Sequence, residues 1–141
     1  MPGMTEQAAL ITVTIKDQSG AGKIAGTITL DGVEASITLR DLIRTRVREE
    51  VARYNAQNTR TDVFHGLVMP DGAKPVPQGF RMPEPRRVDW ERQADKATRA
   101  FEHNGFFVLV GDRQVTGLDE KLRLTADSDI RFIRLLPLVG G

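Results

Sequence analysis

Cysteine is absent from the 141 residues. That excludes disulfides, zinc–thiolate sites, thiol catalysis and any thioester carried on the chain's own sulfur. Histidine is nearly as scarce. His65 and His103 are the only two, one in a proline-rich stretch and one at an expected helix end, too few for a ligand set or a Ser-His-Asp constellation. No apolar run approaches the roughly 18 residues that a membrane span needs. The opening residues 1–7 have neither a basic nor an apolar leader segment, so no secretion signal is expected and the expected compartment is the cytoplasm. Charge of one sign is also missing: 20 basic and 19 acidic residues leave +1, with no global pull toward nucleic acid or an anionic membrane.

What remains is the composition of one folded domain, 40% hydrophobic, of a length that buries roughly two-thirds of its unfolded surface. Ile11, Val13 and Ile15 alternate with Thr12, Thr14 and Lys16, which is the pattern of a strand with one face buried. A turn-rich stretch, Asp17 to Gly22, leads to a second alternating run from Ile24 to Leu30, so the two should form a hairpin. Ser19-Gly20-Ala21-Gly22-Lys23 lacks the spacing and the hydroxyl of a phosphate loop and precedes a strand, and reads as the hairpin turn.

Thr38 should cap a helix running to about Asn55, with Asp41 completing a weak capping box. Leu39, Leu42, Ile43, Val47, Val51 and Tyr54 form its apolar stripe. Arg46 and Glu50, an i,i+4 pair inside that arc, are expected at its rim. Arg40, Arg44, Arg46, Arg48 and Arg53, set against Asp41, Glu49 and Glu50, read as a solvated, ion-paired face and not as a nucleic-acid surface. From Asn58 to Val88 periodicity disappears and five prolines accumulate, with Pro70-Asp71-Gly72 as a turn. Asp89 then caps a second helix with Trp90, Ala94, Ala97 and Phe101 on one side, stopped by Asn104-Gly105. Phe106 to Val110, Arg113 to Val115 and Ile130 to about Leu135 complete the strands. The acidic residues Asp119, Glu120, Asp127 and Asp129 read as turn chemistry. The expected order is β-β-α-(insert with α)-β-β-β.

The last strand runs into Leu135-Leu136-Pro137-Leu138-Val139-Gly140-Gly141. A terminal glycine pair offers a carboxylate on a thin extended lead that a narrow channel can admit, because no side chain obstructs backbone approach.

Three stretches together resemble the ubiquitin-like proteins: Thr27 to Leu30 followed by the Thr38-capped helix, Phe107 to Val115, and Leu118 to Gly141. The likeness covers about residues 8–56 and 105–141 and rests on order and spacing. It implies an α+β β-grasp fold, a single ubiquitin-like domain over 1–141. That domain carries an insertion at 57–104 with a second helix between the main helix and the third strand, and an extended tail at 136–141. It further implies a protein modifier of a bacterial-type conjugation system and not an enzyme. Gly141, preceded by Gly140, would be the conjugated end, and Leu135, Leu136, Pro137, Leu138 and Val139 the segment read by partners. Those partners would be an adenylating enzyme that uses ATP, a cysteine-bearing transfer enzyme, an isopeptidase and the target proteins. No bound cofactor, metal, nucleic acid or membrane is implied. The family's docking patch maps by position onto Phe106, Val108, Arg131 and Ile133, although burial of Phe106 and Val108 under the second helix is an equal alternative. Pro137 and Val139 stand where the family's LRLRGG tail has arginine, so the resemblance implies a dedicated activating enzyme. Two other readings stay open, a sulfur carrier through a C-terminal thiocarboxylate and a β-grasp interaction module that is not conjugated.

Overall fold

The computed structural model describes residues 9–20, 22–57, 62–84 and 86–134. The described residues are mixed α+β, with a five-stranded sheet, two smaller sheets and two helices among them. Its contacts divide into two units. One contains the chain up to Leu42 together with the chain from Asn104 onward, and the other is Ile43–His103. No helix among the described residues is long and apolar enough to cross a membrane.

In the first unit, β1 (Leu10–Ser19) and β2 (Ile24–Glu34) form the expected antiparallel hairpin, with β1 extending beyond Lys16 into the turn-rich stretch. The turn closes through Ser19 N donating to Lys23 O at 2.8 Å and Gly22 N donating to Ser19 O at 2.9 Å. The remaining strands of the large sheet are β7 (Phe106–Val110), β8 (Arg113–Val115) and β10 (Ile130–Arg134). The sheet order is β2-β1-β10-β7-β8. The final strand therefore lies inside the sheet, parallel to β1 from Ile15↔Ile130 to Ser19↔Arg134 and antiparallel to β7. Val13, Ile15, Ile28, Leu30, Val108, Val115, Ile130 and Phe132 are buried, and the register places them on one face. Each such side chain contributes roughly 1.5–3 kcal/mol through removal from water.

A two-stranded sheet joins β3 (Ser36–Thr38) to β9 (Lys121–Arg123). Both strands are too short for alternation to reveal. This sheet also feeds the start of α1 (Leu39–Gln57), because Leu39 N donates to Glu120 O and Arg40 N to Leu118 O. Thr38 Oγ1 accepts from Asp41 N at 3.1 Å, as the cap signal implied. Three of the helix's orphan donors are thus satisfied.

In the second unit, α1 continues with Ile43, Val47, Val51 and Tyr54 buried. Arg46 and Glu50 do not sit at the rim: they are 2% and 5% exposed. Arg46 Nε donates to Glu50 Oε2 at 2.9 Å, and Glu50 Oε1 accepts from Leu67 N at 3.2 Å. The carboxylate is retained in the interior because it satisfies both a guanidinium and a loop amide, which helical spacing alone does not disclose.

The proline-rich stretch contains a small antiparallel sheet, β4-β6-β5, built from β4 (Val63–Phe64), β5 (Lys74–Val76) and β6 (Gly79–Arg81). Pro75 is tolerated there because β5 is an edge strand. Gly79 is required: at φ 153° its backbone lies so close to Phe64 that an added Cβ would meet the carbonyl oxygen at 2.5 Å. The Pro70-Asp71-Gly72 turn forms, with Ala73 N donating to Pro70 O at 3.2 Å and Gly72 at φ 79°. Asp71 receives Arg92 Nε at 2.6 Å and Lys96 Nζ at 3.0 Å from α2 (Trp90–Glu102). Asp89 caps α2 by accepting from Glu91 N and Arg92 N. Ala94, Ala97 and Phe101 are buried, joined by Gln93, whose amide donates to Val68 O at 3.1 Å. Trp90 is only half-buried, with the Arg44 and Arg48 guanidiniums 5.3 and 5.2 Å from its ring centroids.

Replacing Glu50 with Ala leaves Arg46 buried without this carboxylate and Leu67 N without its acceptor. The expected loss is about 3–5 kcal/mol in urea unfolding. The double change Arg46→Met/Glu50→Met, which buries no charge, should lose less than Glu50→Ala alone.

Candidate protein-interaction site

The segment singled out by the sequence, Leu135, Leu136, Pro137, Leu138, Val139, Gly140 and Gly141, lies outside the described residues. The strand that leads to it is described to its end. Arg134 is opposite Ser19 of β1 on one side and opposite Phe106 of β7 on the other. β10 thus has five register partners on each flank.

The four proposed docking residues do not share a face. In the β10–β7 register Phe106 pairs with Arg134 and Val108 with Phe132, whereas Arg131 pairs with Leu109 and Ile133 with Phe107. Side chains of paired residues emerge on the same face, and one step along a strand reverses it. Phe106 and Val108 are accordingly interior, 2% and 0% exposed, and the Phe106 ring stacks on Phe132 with centroids 5.6 Å apart. The patch expected at Phe106 and Val108 is therefore corrected by one residue. Phe107 and Leu109, both partly exposed, are the companions of Arg131 and Ile133. The five-residue run Phe106–Val110 is apolar throughout, so only the neighbouring strand reveals which face is which. The alternation of Ile130 and Phe132 with Arg131 carried that signal.

Two rows cross this outer face. Lys16, Arg131, Leu109 and Gln114 are successive partners on β1, β10, β7 and β8. Gln18, Ile133 and Phe107 form the adjacent row. Toward β2 the face becomes polar: Thr14 and Thr29 hydroxyls lie 3.3 Å apart, and Thr12 Oγ1 donates to Asp31 Oδ1 at 2.9 Å. The face therefore carries the apolar Leu109, Ile133 and Phe107 among Lys16, Arg131, Gln18 and Gln114, and becomes hydroxyl-lined toward β2.

Charge at its centre is organised by Asp129. Arg131 donates to it through Nη2 at 2.8 Å and Nε at 3.3 Å, and Lys16 Nζ lies 3.6 Å away. Hydrogen bonding from Arg131 holds the Asp129 carboxyl below its ordinary value, aided by the charges of Arg131 and Lys16 and opposed by desolvation. The other acids of the expected cluster are dispersed. Asp119 pairs with Arg40 at 3.2 Å, Glu120 pairs with Arg113, and Asp127 N donates to Thr125 Oγ1 in a turn. His65 and His103 each place Nδ1 against a backbone carbonyl, of Gln78 and Arg99. Among the described residues no group of three or more His, Asp or Glu side chains is placed to hold a metal ion.

The arrangement offers a surface and no assembled nucleophile, base and oxyanion donor among the described residues. No protein-family model, curated protein or solved structure matches the chain.

Two outcomes follow from this geometry. Phe106→Ala should cost about 3–5 kcal/mol of stability, and Ile133→Thr about 1 kcal/mol or less, as read by thermal or urea melts. The folded Asp129 carboxyl titrates below the unfolded one, so its contribution is complete above the ordinary value of 3.8 and is lost as pH falls through the depressed value. A carboxyl-carbon NMR titration should place its midpoint below 3.8, and Arg131→Gln should move it upward.

Proposed function

We propose that this chain is a β-grasp, ubiquitin-like modifier whose Gly140-Gly141 end is activated by adenylation and joined to amines of target proteins. The observation that carries the reading is the sheet order β2-β1-β10-β7-β8 with β10 parallel to β1. An N-terminal hairpin, a helix, and a last strand inserted beside the first are the elements a β-grasp domain requires. That order supports the likeness independently of the residue spacings from which it was drawn. The same insertion supports the use of the tail, since a lead that must enter a partner's channel gains from a rigid origin.

In this reading the chain contributes no catalytic group. The Gly141 carboxylate attacks the α-phosphorus of ATP on the adenylating enzyme, and pyrophosphate leaves. A partner cysteine thiolate then attacks the acyl-adenylate and displaces AMP, forming a thioester. A target amine attacks that thioester, the thiol leaves, and an amide remains. The outer-face residues Phe107, Leu109, Arg131 and Ile133 take the docking role for which Phe106 and Val108 are unsuited.

The test is to incubate the chain with ATP and candidate adenylating enzymes, measuring ATP–pyrophosphate exchange and then the intact mass of products. Exchange that depends on the chain, followed by linkage to a protein amine, is the expected result, and deleting Gly141 should abolish both. An adduct that persists without Gly141 overturns the proposal. A product whose mass reports replacement of one oxygen by sulfur assigns the chain to the sulfur carriers instead.

A further inference from the structure

The first residue of α2 is the only tryptophan of the chain, and its ring meets two arginines of α1. Arg44 and Arg48, one helical turn apart, differ in what else they hold. Arg44 Nη1 donates to Asp95 Oδ1 at 3.3 Å. Arg48 is exposed and, apart from its contact with Trp90, makes no hydrogen bond or ion pair among the described residues. Its neighbours at helical spacing, Arg44, Thr45, Val51 and Ala52, include no acid. The adjacent Glu49 is taken by Arg53 Nε at 2.7 Å.

The indole N–H has no acceptor among the described residues either. Tyr54 Oη is the one buried side-chain polar atom there without a partner, so Trp90 Nε1 meets solvent. Like charges one turn apart repel, and the electron-rich ring offsets only part of that repulsion. Contact with the ring also restrains the Arg48 head while leaving its N–H donors unused. A donor fork restrained in this way loses little further freedom when a ligand arrives.

We propose that Arg48, with Trp90 and Arg44, forms a binding site for a carboxylate carried by an acidic peptide segment of a partner protein. The planar fork of Arg48 matches the two oxygens of a carboxylate, and the free indole N–H on the same ring offers a further donor. Charge selects a carboxylate over a phosphate. Arg44 and Arg48 bring two positive charges and Asp95 cancels one, which leaves the balance to be met by a singly charged group. Glu91, exposed and next to Trp90 in the chain, further disfavours a second negative charge. The N-terminus of α2 takes no part, because Asp89 already accepts from Glu91 N and Arg92 N. A site of this exposure binds weakly and is screened by salt.

This inference does not depend on the conjugation reading, and its test does not involve the tail. Trp90, as the only tryptophan, reports occupancy directly. Titrating the full chain at low salt with a glutamate-rich hexapeptide, up to millimolar concentration, should change its fluorescence saturably, with calorimetry giving the same affinity. Added salt should weaken the binding. The lysine-rich counterpart and inorganic phosphate, at equal ionic strength, should give no saturable change. Arg48→Ala should weaken peptide binding about tenfold or more with the urea midpoint little changed, and Arg48→Lys, which keeps the charge and loses the fork, should recover only part. Asp95→Asn removes the cancelling charge, so it should tighten peptide binding and let phosphate compete. That gain is a readout that mere damage to packing would not give. A glutamate peptide without saturable effect overturns the proposal, as does binding indifferent to Arg48→Ala. Tighter binding of phosphate or of a single-stranded oligonucleotide at the same arginine assigns the site to a phosphate ligand and overturns it equally.

Discussion

The parallel pairing of β1 with β10 is the constraint from which the rest of the large sheet follows. A strand received between two others must present hydrogen-bonding groups on both flanks and cannot form until its neighbours are in place. Parallel neighbours also need a crossover connection, and here nearly the whole chain serves as that crossover, including both helices and the proline-rich stretch. Contacts of such sequence separation slow folding, because loop-closure entropy is lost before the pairing returns it. The β1–β2 hairpin and the β7–β8 hairpin are local and can form first. β10 then unites them, bringing Phe132 against Phe106 and Ile130 beside Ile15.

Ionic interactions play different roles in the two units. In the unit that contains the large sheet, the Asp129 group is half-exposed and contributes orientation more than energy: it holds Arg131 along the sheet surface, so that this guanidinium crosses the outer face in a set direction. In the unit Ile43–His103 the ions are structural. The Arg46–Glu50 pair is interior, and Glu50 reaches from the helix to the amide of Leu67. Asp71 draws Arg92 and Lys96 of α2 to the Pro70-Gly72 turn, while Asn55 of α1 exchanges two hydrogen bonds with the backbone of Val88, at 2.9 and 3.1 Å. These polar contacts reinforce the burial of Phe64, Leu67, Ala73 and Met82 in the same unit.

Much of this could be read from residue order. The β1–β2 hairpin was legible because β-branched residues alternate with threonines, and both helix starts were legible because Thr38 and Asp89 precede apolar residues at helical spacing. Three features were not. Burial of Arg46 and Glu50 depends on a loop some seventeen positions away, which no local pattern encodes. The strands Lys74–Val76 and Gly79–Arg81 are three residues each, too short for alternation to show. The face of Phe106 was ambiguous because Phe106, Phe107, Val108, Leu109 and Val110 are all apolar and either phase is consistent with a strand. Of the four residues expected to form one surface, Arg131 and Ile133 therefore lie on the outer face of the sheet and Phe106 and Val108 on its buried face.

The direction of β10 has a mechanical consequence. β1 spans Leu10–Ser19 and β10 spans Ile130–Arg134, and the two strands run side by side in the same sense. Tension applied between Leu10 and Arg134 pulls the strands past one another along their length, so the rungs from Ile15↔Ile130 to Ser19↔Arg134 carry load together. A hairpin pulled at its open end yields one rung at a time. Tension between Arg134 and Leu10 would therefore meet this sheet in its stiffest direction, and yielding would require the central strands to slide as a block.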